Sequence, residues 1–489
     1  MAKNKLQNEK LEPMLLKTAI VLIIGSLAPL LDSTMVNVAI KTIGEDLNST
    51  ISVIQWTITG YVLAMGISVP ISGWATNRFG SKQVYMSSLL IFLFGSVLSS
   101  LSWNIESLIG FRLLQGIGAG LLMPTLQTML VQAADGQNLG RMMSFVSIPA
   151  LLGPILGPVL GGIIVNSLSW RWIFYVNIPV TIIALFLAWW GLPTEKPYNS
   201  KQSLDIIGIF LLSPAFAILI YAISQVSSHG SFNCNEVVVP LVIGLLLMAA
   251  YIVYASHTKT SPVLDVRLFK SRNFSASTAS LFLSGIIMNG AMLLLPLYYQ
   301  QVRGESVLFA GLLLIPQGAG MLLTRSWIGR LVDRIGSRII VVISLIVTAI
   351  GTLPFAFATL NTNQILLIAA LFLRGAGLGG LLIPIMASAY IGLNRDQIPH
   401  ASVATRILLT IGGAFGSAIL ATIVENQLSY SSVSGTQTVV SAYNVAFWLL
   451  IVFTIITIIP ALLLSKSKNE PVTRPDSAVQ INVQKDSIR

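Results

Sequence analysis

The sequence predicts an all-α integral membrane protein of 14 transmembrane helices: two six-helix parallel repeats with two helices inserted between them. Three observations predict it. First, 54% of the 489 residues are hydrophobic and only 10% are charged, with a mean hydropathy of +0.80. A soluble protein carries about 25% charged residues, so most of this chain must face lipid. Second, polar links divide the chain into 14 apolar runs, near the roughly 20 residues that cross a bilayer. Third, segments of the first half return in the same order in the second.

Residues 1–15 form a basic N-terminus with Lys3, Lys5 and Lys10. The first run, 16–40, is too long for a signal-peptide core and lacks a small-residue cleavage site, so it is expected to stay as span one. Runs at 51–72, 83–101, 105–132, 142–166 and 172–192 complete a first bundle, 16–192. Runs at 204–225 and 236–256 form the inserted pair, 204–256. Runs at 275–299, 306–325, 339–358, 363–390, 401–424 and 442–464 form the second bundle, 275–464. The polar tail, 465–489, is expected to be disordered, with Lys466 and Lys468 near anionic lipid.

Charge tests this division. With the N-terminus in the cytoplasm, 23 of the 29 Lys and Arg fall on inside segments and 3 on outside links. The other three, Arg112, Arg374 and Arg406, lie within spans. This is the positive-inside bias with both termini cytoplasmic. It also accounts for the net charge of +11 without a nucleic-acid partner.

The repeats set the architecture. GWATNRFGSK at 73–82 is echoed by GRLVDRIGSR at 329–338, and RLLQGIGAG at 112–120 by RGAGLGG at 374–380. GPILG at 153–157 has a weaker echo in GAFG at 413–416. The first pair follows spans 2 and 10. An even number of helices between them preserves orientation, which makes the halves parallel repeats.

Several chemistries are excluded. The single Cys234 makes no internal disulfide, and no Cys and His cluster offers a metal site. No phosphate loop, H-E-x-x-H or G-x-S-x-G pattern is present, so neither ATP-driven transport nor an intramembrane hydrolase is expected. The chain reads as a secondary transporter with no cofactor beyond an ion gradient.

The first candidate is Asp32, in LLDSTMVNVAI at 30–40. An acid in hydrocarbon persists mainly where it meets a polar cavity or a partner. Asp32 lies roughly 24 Å along a helix that starts at Leu16, and Arg112 roughly 10 Å inside span 4 from the outer side. The two share one depth. Burial disfavours a charged carboxyl and a nearby cation favours it, so a movable Asp32–Arg112 contact would couple protonation to conformation. In GPILGPVLGG, residues Gly153, Pro154, Gly157, Pro158, Gly161 and Gly162 predict a kinked, closely packed helix at a seam that controls leak and rocking. Gly73, Asn77, Arg78 and Gly80, with Gly329, Asp333, Arg334 and Gly336, are expected to form cytoplasmic gate loops. Asn77 stands opposite the acid position Asp333, so the two loops must differ.

Together and in order, these motifs are similar to those of the major facilitator superfamily. The chain more narrowly resembles its fourteen-span drug:proton antiporter family, which includes bacterial quaternary-ammonium and lincomycin exporters. LDSTMVNVAI resembles the span-1 motif, GWATNRFGSK the loop-2/3 motif, RLLQGIGAG the span-4 motif and GPILGPVLGG the span-5 antiporter motif. WRWIFYVNIP at 170–179 and LPLYYQQVRG followed by AGLLLIPQG look like further marks of that branch. The resemblance implies a monomer in the bacterial cytoplasmic membrane that exports amphipathic compounds in exchange for protons, with Asp32 and Arg112 as coupling residues. Two departures matter. Asn77 replaces the usual acid. Relatives that expel divalent cations carry further membrane acids, whereas span 2 has Thr59 and Gly60 and span 10 has none. Monovalent, neutral or anionic amphiphiles are therefore expected. Trp56, Tyr61, Gln115, Asn289 and Tyr298 are candidates for the cavity lining, with ordinary packing or an interfacial belt as the alternative. A dedicated exporter of an endogenous metabolite, lipid or signal, and a non-transporting sensor or scaffold, are the other functions to weigh.

Overall fold

The computed structural model describes residues 13–134, 139–194, 197–200, 202–229, 233–258, 262–430 and 436–465, with the backbone alone at some helical positions such as 144–155. The basic N-terminus up to residue 12 and the tail beyond 465 lie outside the described residues.

The first half comprises α1 (Pro13–Asp46), α2 (Ile51–Phe79), α3 (Ser81–Ser100), α4 (Ile105–Ala134), α5 (Leu139–Ser167), the short α6 (Trp172–Tyr175) and α7 (Asn177–Gly191). The inserted pair is α8 (Ile206–His229) and α9 (Asn235–His257). The second half comprises α10 (Arg272–Gln301), α11 (Val307–Leu313), α12 (Ile315–Ile335), α13 (Ser337–Ala356), α14 (Gln364–Gly379), α15 (Leu382–Ala389), α16 (Ile398–Tyr430) and α17 (Thr436–Ala461). Among the described residues, 12 helical segments are long and apolar enough to cross a membrane. The fifth and tenth expected spans are occupied by α5 and by the α11–α12 pair. The latter breaks at Leu314, where Pro316 in the first turn of α12 restarts the helix. The expected twelfth span is likewise divided, into α14 and α15, and α1 runs past residue 40 to Asp46.

Short links reverse the chain between successive units, so both described ends lie on one side of the bundle, here the proximal side. Two of the proximal links need glycine. Gly80 joins α2 to α3 at φ 91°, and Gly336 joins α12 to α13 at φ 85°, a region open to glycine without steric penalty. Within the first half, α1 packs on α5, and α4 on α2 and α3; within the second, α10 packs on α16, and α14 on α12 and α13. The halves meet where α5 lies against α12 and α16 against α2. The inserted α8 runs beside both α2 and α16, with α9 outside it.

Close backbone approaches fix the repeat register, and they correct one expectation. A Cβ on Gly95 would fall on the backbone of Gln115, and one on Gly351 on that of Arg374. Gly118 lies on Ser88 and Phe92 as Gly377 lies on Ser344 and Thr348, and Gly116 meets the Tyr61 carbonyl as Gly375 meets that of Gln317. Arg374 therefore occupies the place of Gln115, not that of Arg112 as the echo of RLLQGIGAG in RGAGLGG suggests. Matching the two arginines ignores which small residues let the helices touch, and those contacts set the register. The weaker echo shifts too. Gly157 and Gly161 meet the Leu31 and Met35 carbonyls, as Gly412 and Gly416 meet those of Phe282 and Ile286. In that register the counterpart of Asp32 is Leu283.

Candidate functional site

The glycines of α4 create the site. Gly116, Gly118 and Gly120 let α4 close on α2 and α3, which carries Arg112 and Gln115 into the middle of the first half. Asp32 from α1 meets them there. Arg112 Nη1 pairs with Asp32 Oδ2, and both side chains are essentially inaccessible. The guanidinium also donates from Nη1 to Gln115 Oε1 at 2.6 Å and from Nε to the Thr57 carbonyl at 3.2 Å. It stacks over Tyr61, 4.1 Å from the ring centroid, with Phe174 at 5.7 Å. Gln115 Nε2 donates to Asp32 Oδ1 at 3.2 Å and to Ser96 Oγ at 2.8 Å. Asn177 Nδ2 donates to the same Asp32 oxygen at 2.8 Å. The carboxylate thus accepts from three side chains.

Asp32 is one of two buried acids among the described residues. The other, Asp205, sits at the proximal start of α8, where it accepts from Gly208 N, Val263 N and Tyr254 Oη as a structural clasp. Glu425 also falls within the α16 span, but near its distal end and exposed. Asp32 is therefore the acid that a hydrogen-bonded protein interior holds at depth, where an uncompensated charge costs several kcal/mol.

About four turns further out along α1, roughly 20 Å, the segment after α5 is tied to the distal end of that helix. Trp170 is buried and donates Nε1 to Asp46 Oδ2 at 2.9 Å, and Arg171 bonds the same oxygen at 2.8 Å. These donors, Trp170 first, hold the Asp46 carboxyl below its ordinary range.

Other expected residues divide between several places. Gly157 and Gly161 let α5 approach α1 on either side of Asp32, whereas Gly162 faces open space. At Gly153, Pro154 and Pro158 the backbone alone is described, as part of α5. The expected gate loops are largely helical: Gly73, Asn77 and Arg78 belong to the last turns of α2, and Gly329, Asp333 and Arg334 to those of α12, with only Gly80 and Gly336 in the links, because the helical pattern runs on past the apolar segment. These helix ends form the contact between halves. Gly73 lies against Pro399 and Val403. Asn77 Nδ2 donates to the Asp396 carbonyl at 3.4 Å and lies 3.5 Å from His400 Nε2, while Arg78 bonds the Gln202 carbonyl at 2.9 Å. Gly329 lies against Gly140 and Arg141. Arg334 is exposed, and the Asp333 side chain is outside the described residues. Thr128 bonds Ser402 at 3.0 Å, joining α4 to α16 at the same end.

Of the cavity candidates, the structure gathers Tyr61 and Gln115 at the Asp32 cluster. It places the rest elsewhere. Trp56 stacks on Tyr221 of α8 with centroids 6.4 Å apart. Asn289 is exposed on α10 beside Gly413. Tyr298 is buried among Tyr299, Phe355, Tyr443 and Phe447, an aromatic cluster near the distal end of the second half. Sequence reasoning missed Thr57, Ser96 and Asn177. Asn177 carried a signal, as a lone amide inside the apolar stretch WRWIFYVNIP.

Comparison with known proteins places this geometry. Residues 22–417 match the sequence profile of the Major Facilitator Superfamily. The chain is 35% identical over 430 residues to the "Multidrug resistance protein B homolog" of Mycobacterium tuberculosis, covering 88% of this chain and 79% of that one. It is 32% identical over 407 residues to the "Multidrug export protein EmrB" of Haemophilus influenzae, covering 83% and 79%. Among solved structures, the proton:xylose symporter XylE superposes with a TM-score of 0.60 at 15% identity, covering 90% of this chain and 94% of that one.

Proposed function

This chain belongs to the major facilitator superfamily and is a multi-pass transporter rather than an enzyme, and we propose that it exports amphipathic compounds across the bacterial cytoplasmic membrane in exchange for protons. One observation carries the coupling: Asp32 is buried in a shell whose members come from α1, α2, α3, α4 and α7. The names of its relatives support the choice of cargo class.

The mechanism follows from the hydrogen bonds. While Asp32 is ionised, it holds Arg112, Gln115 and Asn177 together. A proton on the carboxylate removes the charge that Arg112 balances and converts one acceptor oxygen into a donor. Arg112 is then left with neutral acceptors, the Thr57 carbonyl and Gln115 Oε1, and the packing of α1 against α4 and α7 is free to change. Charge bias places the proximal side in the cytoplasm. There the halves touch through Gly73, Asn77, Thr128 and His400, so the form described is closed inward. Outside protons acting on Asp32 would favour return to the inward-open form, and substrate entering from the cytoplasm or inner leaflet would complete the exchange. One chain supplies both halves, so a monomer suffices, and no cofactor beyond the proton gradient is invoked.

The test is Asp32→Asn in reconstituted vesicles. The variant should insert and bind substrate yet show no substrate-induced proton flux. Flux equal to that of the unsubstituted protein would remove Asp32 from the mechanism.

A further inference from the structure

Arg406 sits well inside α16 and has no role in the coupling shell. Its helical face is known from its neighbours: Pro399 and Val403, on the same face, meet Gly73 of α2. Arg406 is one turn further out, roughly 5 Å along the axis, just above the contact that closes the proximal end. It is only partly buried there, on the face of α16 that is turned to α2. Among the described residues its guanidinium makes no hydrogen bond or ion pair, and its electrostatic neighbour is the Tyr61 phenol. Tyr61 in turn lies under Arg112.

The charges nearby are otherwise accounted for. Asp32 balances Arg112. Arg374 is satisfied by Gln317 Oε1 at 2.7 Å, Thr352 Oγ1 at 3.2 Å and the Ile287 carbonyl at 3.3 Å. A partly desolvated guanidinium with five donors and no acceptor is an incomplete hydrogen-bonding site. Oxygen acceptors complete it, and a carboxylate does so bidentately. The same charge repels an organic cation.

We infer that Arg406 determines substrate specificity, holding an oxygen-acceptor group, best a carboxylate, of an apolar substrate and rejecting organic cations. The inference deepens the exporter reading and rests on it for the word substrate. Binding at Arg406 and protonation at Asp32 then involve separate groups, with Tyr61 a neighbour of both guanidiniums.

The experiment measures equilibrium binding to the purified full-length protein in detergent. The probes are an aryl carboxylate amphiphile, its methyl ester and tetraphenylphosphonium. The unsubstituted protein should prefer the carboxylate and bind the phosphonium weakly. Arg406→Gln should bind the carboxylate about tenfold or more weakly, as loss of a charged hydrogen bond implies, while keeping the ester and gaining the phosphonium. Arg406→Lys should keep the original order, which separates charge from misfolding. Unchanged carboxylate affinity in Arg406→Gln, an equal loss of all three probes, or tight phosphonium binding by the unsubstituted protein would each overturn the assignment. Vesicles lacking proton flux, combined with the expected binding pattern, would instead sink antiport and leave Arg406 assigned.

Discussion

The two halves each bury an arginine on their fourth helical unit, and they treat it differently. Arg112 has a carboxylate partner, drawn from α1. Arg374 has only neutral acceptors, and the helix equivalent to α1 offers it the Ile287 carbonyl instead of an acid. The two do not occupy equivalent positions, since Arg374 stands where Gln115 stands. It bonds Thr352 as Gln115 bonds Ser96. One half therefore contains a group that can take up a proton, while the other contains a fixed cation braced by dipoles. Among the described residues, a two-fold carrier built this way keeps its buried membrane acid in one half alone.

The largest expected effect tests that contrast directly. Arg112→Ala leaves the Asp32 carboxylate buried without its cation and should destabilise the protein by about 3–5 kcal/mol, unless the acid is also replaced. The double variant Arg112→Ala, Asp32→Asn should recover much of the loss. Arg374→Met removes a buried charge with no counter-ion and should cost far less, in thermal unfolding in detergent. Equal losses in the two single variants would erase the distinction. A middle-sized effect is expected at Asn177. Asn177→Ala removes one donor to Asp32 and should cost about 1.5–3 kcal/mol, as for a hydrogen bond to a charged group. It should also move the pH midpoint of proton flux, which a residue that only packs would not do. The smallest effect concerns Asp46. Its folded-state value is depressed, so its contribution is present above the unfolded value near 3.9 and is lost as pH falls through the lower folded value. Because the pair is about a third to a half exposed, acid should loosen it by less than about 1 kcal/mol, and Asp46→Asn should abolish that acid dependence of stability.

Most of the architecture was legible in the chain because lipid imposes a simple rule on it. Apolar runs and charge bias located the helical units, although α2 and α12 run past their expected ends at 72 and 325 to Phe79 and Ile335. Equal depth along two helices also brought Asp32 and Arg112 to one level before any contact was known. What the sequence does not display is which faces meet. The Gln115–Arg374 equivalence depends on glycine contacts between helices, and a match on the arginine letter hides it. Asn177 lies 145 residues from Asp32, so no local pattern joins them. Trp56 and Tyr298 show the same limit from the other side. An aromatic residue at cavity depth can equally stack on α8 or enter an aromatic cluster, and period alone does not choose.

The Asp32 shell also bears on how the chain is made. Asp32 and Arg112 are 80 residues apart, and at roughly 5–20 residues per second of synthesis the acid precedes its cation by about 4–16 s. Asn177 follows later still. During that interval α1 enters the membrane carrying a carboxyl for which no partner has yet been translated. Until α4 arrives, water at the outer half of α1 or a proton on the carboxyl has to offset the cost of that charge. The residue that would couple transport to protons is therefore also one whose charge must be offset by something other than its final partners while the first half is being made.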